Sequence, residues 1–314
     1  MMAVMAETDF ELYRKYLAGI AYRMLGSYAE AEDVVQEAYL RWHKIDRSTV
    51  VDPRSFLTRI TTRLCLDILK SARMRRETYV GQWLPEPLIE GLVDESSPEE
   101  ELAGDLSVAM MLALERLSPL ERAAFLLHDI FEMGFPAVAE TIGRSEESAR
   151  QLAARARKNL RSSRPRYKVN EEEESAITQA FFTASRTGDV AGLSKLLADD
   201  VIFHADGGGK RAAATNILEG IARVVQFVAG YGQKLFPLYG LPPVRFTRVN
   251  NMPGFATIET DGLPQTMSFA IEDGKITAIY VMRNPDKLKH ITAEWVKQGE
   301  PPSPPTGERE GPIA

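Results

Sequence analysis

Residues 29–42, AEAEDVVQEAYLRW, contain neither Gly nor Pro and consist largely of good helix formers. Val34, Val35, Ala38 and Trp42 recur at three-to-four spacing and mark the apolar stripe of an amphipathic helix. Asp33, Gln36, Glu37 and Arg41 fall on the opposite side. That polar run has two readings: the solvated face of an ordinary helix, or a face on which Asp33, Gln36 and Glu37 dock a partner.

The flanking sequence extends the helical reading. Residues 9–26 put Phe10, Tyr13, Leu17, Ile20, Ala21 and Met24 on one face, and Gly26-Ser27 punctuates before the next helix. Asp52-Pro53 opens a third helix, Arg54 to Arg76, with Phe56, Leu57, Ile60, Leu64, Ile68 and Leu69 as its stripe. Arg59, Arg63, Lys70, Arg73, Arg75 and Arg76 lie off that stripe or at its end. Such a cluster is either a solvated helix end that suits the dipole or a phosphate-contacting surface.

Composition bounds what these helices serve. The 314 residues allow two or three domains, and 44% hydrophobic residues suffice for packed cores. One cysteine, Cys65, cannot form an intramolecular disulfide and fits a reducing compartment. The opening MMAVMAETDFELYRKY lacks the flank and apolar run of a secretory signal, and no stretch approaches the ~18 apolar residues of a membrane span. The chain reads as cytoplasmic, with no membrane partner. Its net charge of -6 is unevenly spread. Residues 1–80 carry about +2, 81–109 about -8, 110–168 about +4 and the remainder about -4. Two basic blocks therefore flank an acidic strap and precede an acidic domain.

The strap begins GQWLPEPLIEGLVDESSPEEE at Gly81, too rich in proline and acid for a core of its own. A flexible linker is one reading. Trp83, Leu84, Leu88, Ile89 and Leu92 are too apolar for a solvated tether, so part of it should pack on a neighbour. Its acids would also mimic nucleic-acid charge. Residues 106–132 read as one or two helices turned at Leu117-Ser118-Pro119. FPAVAETIGRSEESARQLAARARKNLR, residues 135–161, then gives a short helix from Pro136 to Ile142, a permissive Gly143, and a helix capped by Ser145. Ala149, Leu152, Ala153 and Ala156 should face inward, and Arg150, Gln151, Arg155, Arg157 and Lys158 outward. This is a helix-turn-helix pattern set to read bases and phosphates, or else a structural hairpin.

Taken together, AEDVVQEAYLRW, the Phe56–Arg76 helix, LSPLERAAFLLHDIF and SEESARQLAARARKNLR, in that order over residues 9–164, resemble a group-four (extracytoplasmic-function) sigma factor. The resemblance implies a dissociable specificity subunit of RNA polymerase. Asp33, Gln36, Glu37 and Trp42 would sit on or support the interface with the largest polymerase subunits. Arg59, Arg63, Arg73, Arg75 and Arg76 would serve the minus-ten promoter element, and Arg150, Gln151 and Arg155 the minus-thirty-five element. The chain departs from the family at Arg63: many members carry asparagine four residues before the aspartate matching Asp67, so the detail of minus-ten recognition does not carry over.

NEEEES, residues 170–175, resets the charge and starts a new unit. Two helices around Gly188, a strand ending in HADGGGK, an apolar helix from Ile221 and four alternating strands with Asp261-Gly262 and Asp273-Gly274 turns argue α+β. The layout resembles a SnoaL-like cone, in which a curved antiparallel sheet with helices wraps a pocket. The expected organisation is thus two all-α domains, 1–80 and 110–168, joined by the linker 81–109, then a cone at 169–293 and a disordered Pro-rich tail at 294–314. DGGGK (Asp206, Gly207, Gly208, Gly209, Lys210) and NPDKL (Asn284, Pro285, Asp286, Lys287, Leu288), with Trp83 and Pro85 of WLPEP, resemble a sigma subfamily whose fused cone regulates in cis. By its residues alone, DGGGK is an anion-binding nest or a plain turn. Two rival functions stand beside the sigma reading. One is a ligand-sensing operator binder that would not need the Asp33/Gln36/Glu37 face. The other is an enzyme using His204 and Asp206, two apart on one strand face, as an acid–base pair. No metal cluster, nucleophile motif or phosphate loop is present, so no cofactor is expected; the cone's pocket either senses a small-molecule ligand or is purely structural.

Overall fold

The structure, a computed structural model, describes residues 2–77, 79–90, 107–160, 170–292 and 295–296. Three helices come first: α1 (Met2–Leu25), α2 (Tyr28–Lys44) and α3 (Pro53–Glu77). Ser27 caps α2 by accepting the Glu30 N–H, which sharpens the break expected at Gly26-Ser27. After the strap come α4 (Val108–Glu115) and α5 (Pro119–Phe125), the latter opened by a full Ser118/Glu121 capping box. A π-helical turn, Leu126–Ile130, leads to α6 (Phe135–Ile142) and α7 (Glu146–Leu160). Gly143, at φ 65°, is the left-handed residue that ends α6.

All seven helices drain into one core. Phe10, Leu17, Trp42 and Leu57 from the first three belong to the same apolar cluster as Leu114, Leu126, Ala153 and Leu160. Arg122, 2% exposed, ties the two groups by donating to the carbonyls of Met24 and Leu114 and to Glu115. The two basic blocks thus pack against each other through a shared core.

The cone follows: α8 (Glu171–Thr187), α9 (Val190–Leu196), β1 (Leu197–Asp206), β2 (Leu218–Glu219), α10 (Ile221–Tyr239), β3 (Val244–Val249), β4 (Met252–Ile258), β5 (Pro264–Glu272) and β6 (Lys275–Met282). The sheet order is β2-β1-β6-β5-β4-β3. It is antiparallel except where β1 lies parallel to β6. Asp273-Gly274 makes the expected left-handed turn, and Asn250-Asn251 makes a second one between β3 and β4. Alternation sorts the sheet's faces. Phe203, Phe255, Phe269, Ile279 and Val281 face the helices in one core, while Ala256, Ala278, Tyr280 and Met282 face Leu84, Ile89 and Val108 in another. The second face is where the helical body and the strap dock. Among the described residues no helix is long and apolar enough to cross a membrane.

Candidate functional surfaces and the interdomain seam

The polar face of α2 is open. Asp33 and Gln36 are exposed, Glu37 is half-buried and paired with Arg41 at 2.8 Å, and Leu40 adds a 45%-exposed apolar group one turn on. Trp42 does not belong to this face. It is 1% exposed and packed against Phe56, as its place in the apolar stripe with Val34 and Ala38 requires, so its contribution is to hold the helix from beneath.

The arginines of α3 are partly engaged. Arg59 pairs with Glu140 of α6 at 2.7 Å, and Arg63 reaches the Glu140 carbonyl at 3.5 Å. The two residues expected to face one DNA element thus touch the first helix of the helix-turn-helix expected to read the other. Arg73, Arg75 and Arg76 fall in the last turns of α3, where side chains lie outside the described residues. On α7, Arg150, Gln151 and Arg155 are exposed, as expected. Arg150 pairs with Glu146 and lies over the Phe135 ring, Gln151 donates to Glu147 at 3.4 Å, and Arg155 pairs with Glu121 at 3.2 Å. Arg157, expected to point outward, is held by Asp129 at 2.6 Å. Exposed ion pairs contribute about 0–1 kcal/mol, so such cations exchange easily onto phosphate.

The strap is the third feature. Pro85 and Pro87 keep residues 79–90 extended, and Leu84 through Ile89 are buried between helices and cone. The 91–106 stretch, with Leu92 and most of the acids, lies outside the described residues. Ile89 forms an antiparallel bridge with Val249, extending the sheet past β3. Trp83 packs so closely on Gly26 that a methyl group there would meet its ring at 2.5 Å. Glu86, 7% exposed, accepts from the Ser27 hydroxyl and the Tyr28 N–H, so a strap carboxylate caps the positive end of α2. Beside it the Tyr22 hydroxyl donates to the Glu86 carbonyl at 2.8 Å and accepts from Asn250 at 2.6 Å. Asn250 in turn exchanges two hydrogen bonds with the Leu88 backbone. Helix, strap and cone meet at this one triad.

Asp206 holds the other end of the strap. Fully buried, it accepts from the Tyr79 hydroxyl at 2.6 Å, the Leu84 N–H at 2.9 Å and the Gly208 N–H at 2.9 Å, and pairs with Lys287 at 2.8 Å. Lys287 also donates to the Leu84 carbonyl and lies over the rings of Trp83 and Tyr79. DGGGK is a turn that fits this seam. Gly208 and Gly209 both have positive φ, and a side chain would meet Asn284 at the first and Val80 at the second. Lys210 pairs with Asp286, and Asn284 donates to Tyr79 and caps the turn that begins at Pro285. Burial and then Asp206 push the Tyr79 hydroxyl's pKa up.

The proposed acid–base pair is not in the cone's interior. His204 and Asp206 do share a face, but it is the face that the strap covers, while Phe203 and Ala205 turn inward. His204 lies against Tyr280 and reaches Gln82 of the strap at 3.0 Å. Burial, with Arg116 nearby, lowers its pKa to about 4. A histidine shifted from 6.5 to 4 stays neutral in the docked protein and takes a proton once undocked. Docking should therefore hold above pH 6.5 and weaken progressively as pH falls toward 4. The melting temperature of the wild-type protein should fall over that window by more than that of His204→Gln; matching pH profiles would refute the assignment. Among the described residues no His, Cys, Asp and Glu are grouped to hold a metal ion.

Residues 10–75 match the family described as Sigma-70 region 2, and residues 107–160 match Sigma-70, region 4. The chain is 39% identical over 296 residues to the ECF RNA polymerase sigma factor SigJ of Mycobacterium tuberculosis strain H37Rv, covering 90% of this chain and 93% of that one. It is 32% identical over 284 residues to the probable ECF RNA polymerase sigma factor SigI of the same species, covering 90% and 94%. It also superposes on the crystal structure of M. tuberculosis SigJ with a TM-score of 0.72 at 36% identity, over 90% of this chain and 98% of that one.

Proposed function

Because this chain belongs to the extracytoplasmic-function RNA polymerase sigma factors and directs promoter-specific transcription initiation, we propose that its SnoaL-like cone modulates that activity in cis by holding the two DNA-reading modules together. In this reading Asp33, Gln36 and Glu37 dock core polymerase in the cytoplasm, with Trp42 beneath them. Arg59, Arg63, Arg73, Arg75 and Arg76 act at the minus-ten element, and Arg150, Gln151 and Arg155 at the minus-thirty-five element.

The observation that carries the regulatory part is the contact of Arg59 and Arg63 with Glu140 across the two modules. Elements named twenty-five base pairs apart are separated by roughly 85 Å of duplex, at about 3.4 Å per base pair. Modules whose facing helices touch cannot reach both at once, so the molecule must open to use a promoter. Glu140 alone cannot keep it shut. Its side chain is 59% exposed, and an exposed ion pair is worth at most about 1 kcal/mol, so Glu140→Gln should change promoter affinity by less than about fivefold in a filter-binding titration. A larger change would move the latch from the strap to this pair.

The decisive experiment is run-off transcription with purified core polymerase, comparing the full chain with one ending at Tyr167. Promoter-dependent transcript from both, and more from the shorter, is the expected result. Equal yields would remove the cone's role. No transcript from either, with folded protein on authentic promoters, would leave the operator-binding reading.

A further inference from the structure

The cone's concave face is apolar in its depth and charged at its open end. Phe181, Phe182, Phe255 and Phe269 fill the depth. Strand alternation then places Glu259 on β4's exit and Arg283 on β6's exit, both on the concave side, since Phe255 and Thr257 precede the first and Ile279 and Val281 the second. Arg186 from α8 grips Glu259 with two hydrogen bonds of 2.6 and 3.0 Å, both side chains almost fully buried. Arg211 grips Asp261 in the same way, at 2.8 and 2.9 Å. Two guanidiniums therefore have two carboxylates.

Arg283 is the third guanidinium and has none. Among the described residues it forms no ion pair; one nitrogen donates to the Ala212 carbonyl, and its Nε is buried with no partner. Its charge is felt nearby: burial and then Arg283 lower the Arg211 pKa, and for Glu259 burial is more than offset by Arg186, with Arg283 adding to the drop. Arg283 lies 5.9 Å from the centre of the Tyr231 ring, and Tyr231 is 36% exposed. Phe227, one turn earlier on α10, is 43% exposed, and Leu263, bonded to the Glu259 backbone, is 38% exposed. The site thus joins one surplus, half-buried positive charge to an uncovered apolar rim.

We propose that the open end of the cone binds an amphipathic monocarboxylate, with its carboxylate on Arg283 and its apolar body against Tyr231, Phe227 and Leu263. One uncompensated charge selects one anionic group. A doubly charged phosphate would set its second charge against Glu259 and Asp261. A carboxylate matches a guanidinium's hydrogen-bonding edge, and pairing lowers the cost of keeping that charge half-buried.

The test is calorimetric titration of the full chain with sodium benzoate, and with benzyl alcohol as a neutral ligand of similar shape. Benzoate should bind at least about tenfold more tightly than benzyl alcohol, and Arg283→Met should remove that preference while Arg283→Lys retains most of it. Equal affinity for the two ligands in the wild-type chain overturns the proposal without recourse to any variant. So does undetectable benzoate binding, or benzoate affinity unchanged in Arg283→Met. Acetate, which keeps the charge and lacks the ring, should bind more weakly than benzoate; equal binding would refute the apolar half of the site.

Discussion

Replacing Asp206 with alanine should release the strap and let the cone part from the helical body, lowering stability by about 3–5 kcal/mol. The size follows from what the carboxylate leaves behind. Lys287, 13% exposed at its side chain, loses its carboxylate, and the Tyr79 hydroxyl and Leu84 N–H lose their acceptor, all in one buried place. Removing one partner of a buried pair costs far more than the pair's net worth, because the survivor stays desolvated. Thermal unfolding should show the loss, small-angle scattering should show a larger radius of gyration, and promoter affinity should rise. Lys287→Met strands the opposite charge and should cost a similar amount, while Asp206→Ala with Lys287→Met should cost clearly less than the two summed. Asp206→Asn, which keeps the shape and can still accept from Tyr79, should fall between wild type and alanine if alanine proves too disruptive to purify. An unchanged melting point and radius in Asp206→Ala would dismiss the seam as the latch.

That carboxylate shows where sequence reading succeeds and where it stops. The helices were legible because their signals are local: the stripe from Val34 to Trp42, the turn at Leu117-Ser118-Pro119 and Gly143 each act within a turn or two. The same stripe sets Trp42 in the core, which leaves it supporting that face from beneath rather than sitting on it. Leu84 was legible as buried, and Trp83 as packed on a neighbour, because their apolarity has no use in a solvated tether. Alternation correctly paired His204 with Asp206, and the inward run Val201, Phe203, Ala205 marks the face they avoid. What no local pattern carries is partnership across the chain. Tyr22 meets Asn250 at a separation of 228 residues and Arg186 meets Glu259 at 73, and each residue alone looks like an ordinary surface group. Nor does alternation say that β1 runs parallel to β6, because alternation sorts a strand's two faces and carries nothing about the direction of its neighbour.

Reversing the open face of α2, Asp33→Lys together with Glu37→Lys, should weaken binding of the full chain to core RNA polymerase by about a hundredfold, at two contacts worth about 1–2 kcal/mol each. The fold should survive. Asp33 is exposed, and Glu37 loses only a solvent-screened pair with Arg41, so the melting point should move by no more than exposed substitutions usually allow. Trp42→Ala would be a poor substitute, because it empties the core and destroys every readout together. The face stays exposed while Arg59 and Arg63 are tied to Glu140, so docking and promoter reading are separable in the closed molecule. The double reversal should therefore lower polymerase affinity and leave the melting point alone, whereas Asp206→Ala should lower the melting point and leave polymerase affinity alone. If the reversal leaves polymerase binding intact, α2 is a solvated helix and the docking surface lies elsewhere. If Asp206→Ala raises polymerase affinity more than about tenfold, the cone acts by hiding the docking face rather than by holding the DNA-reading modules together.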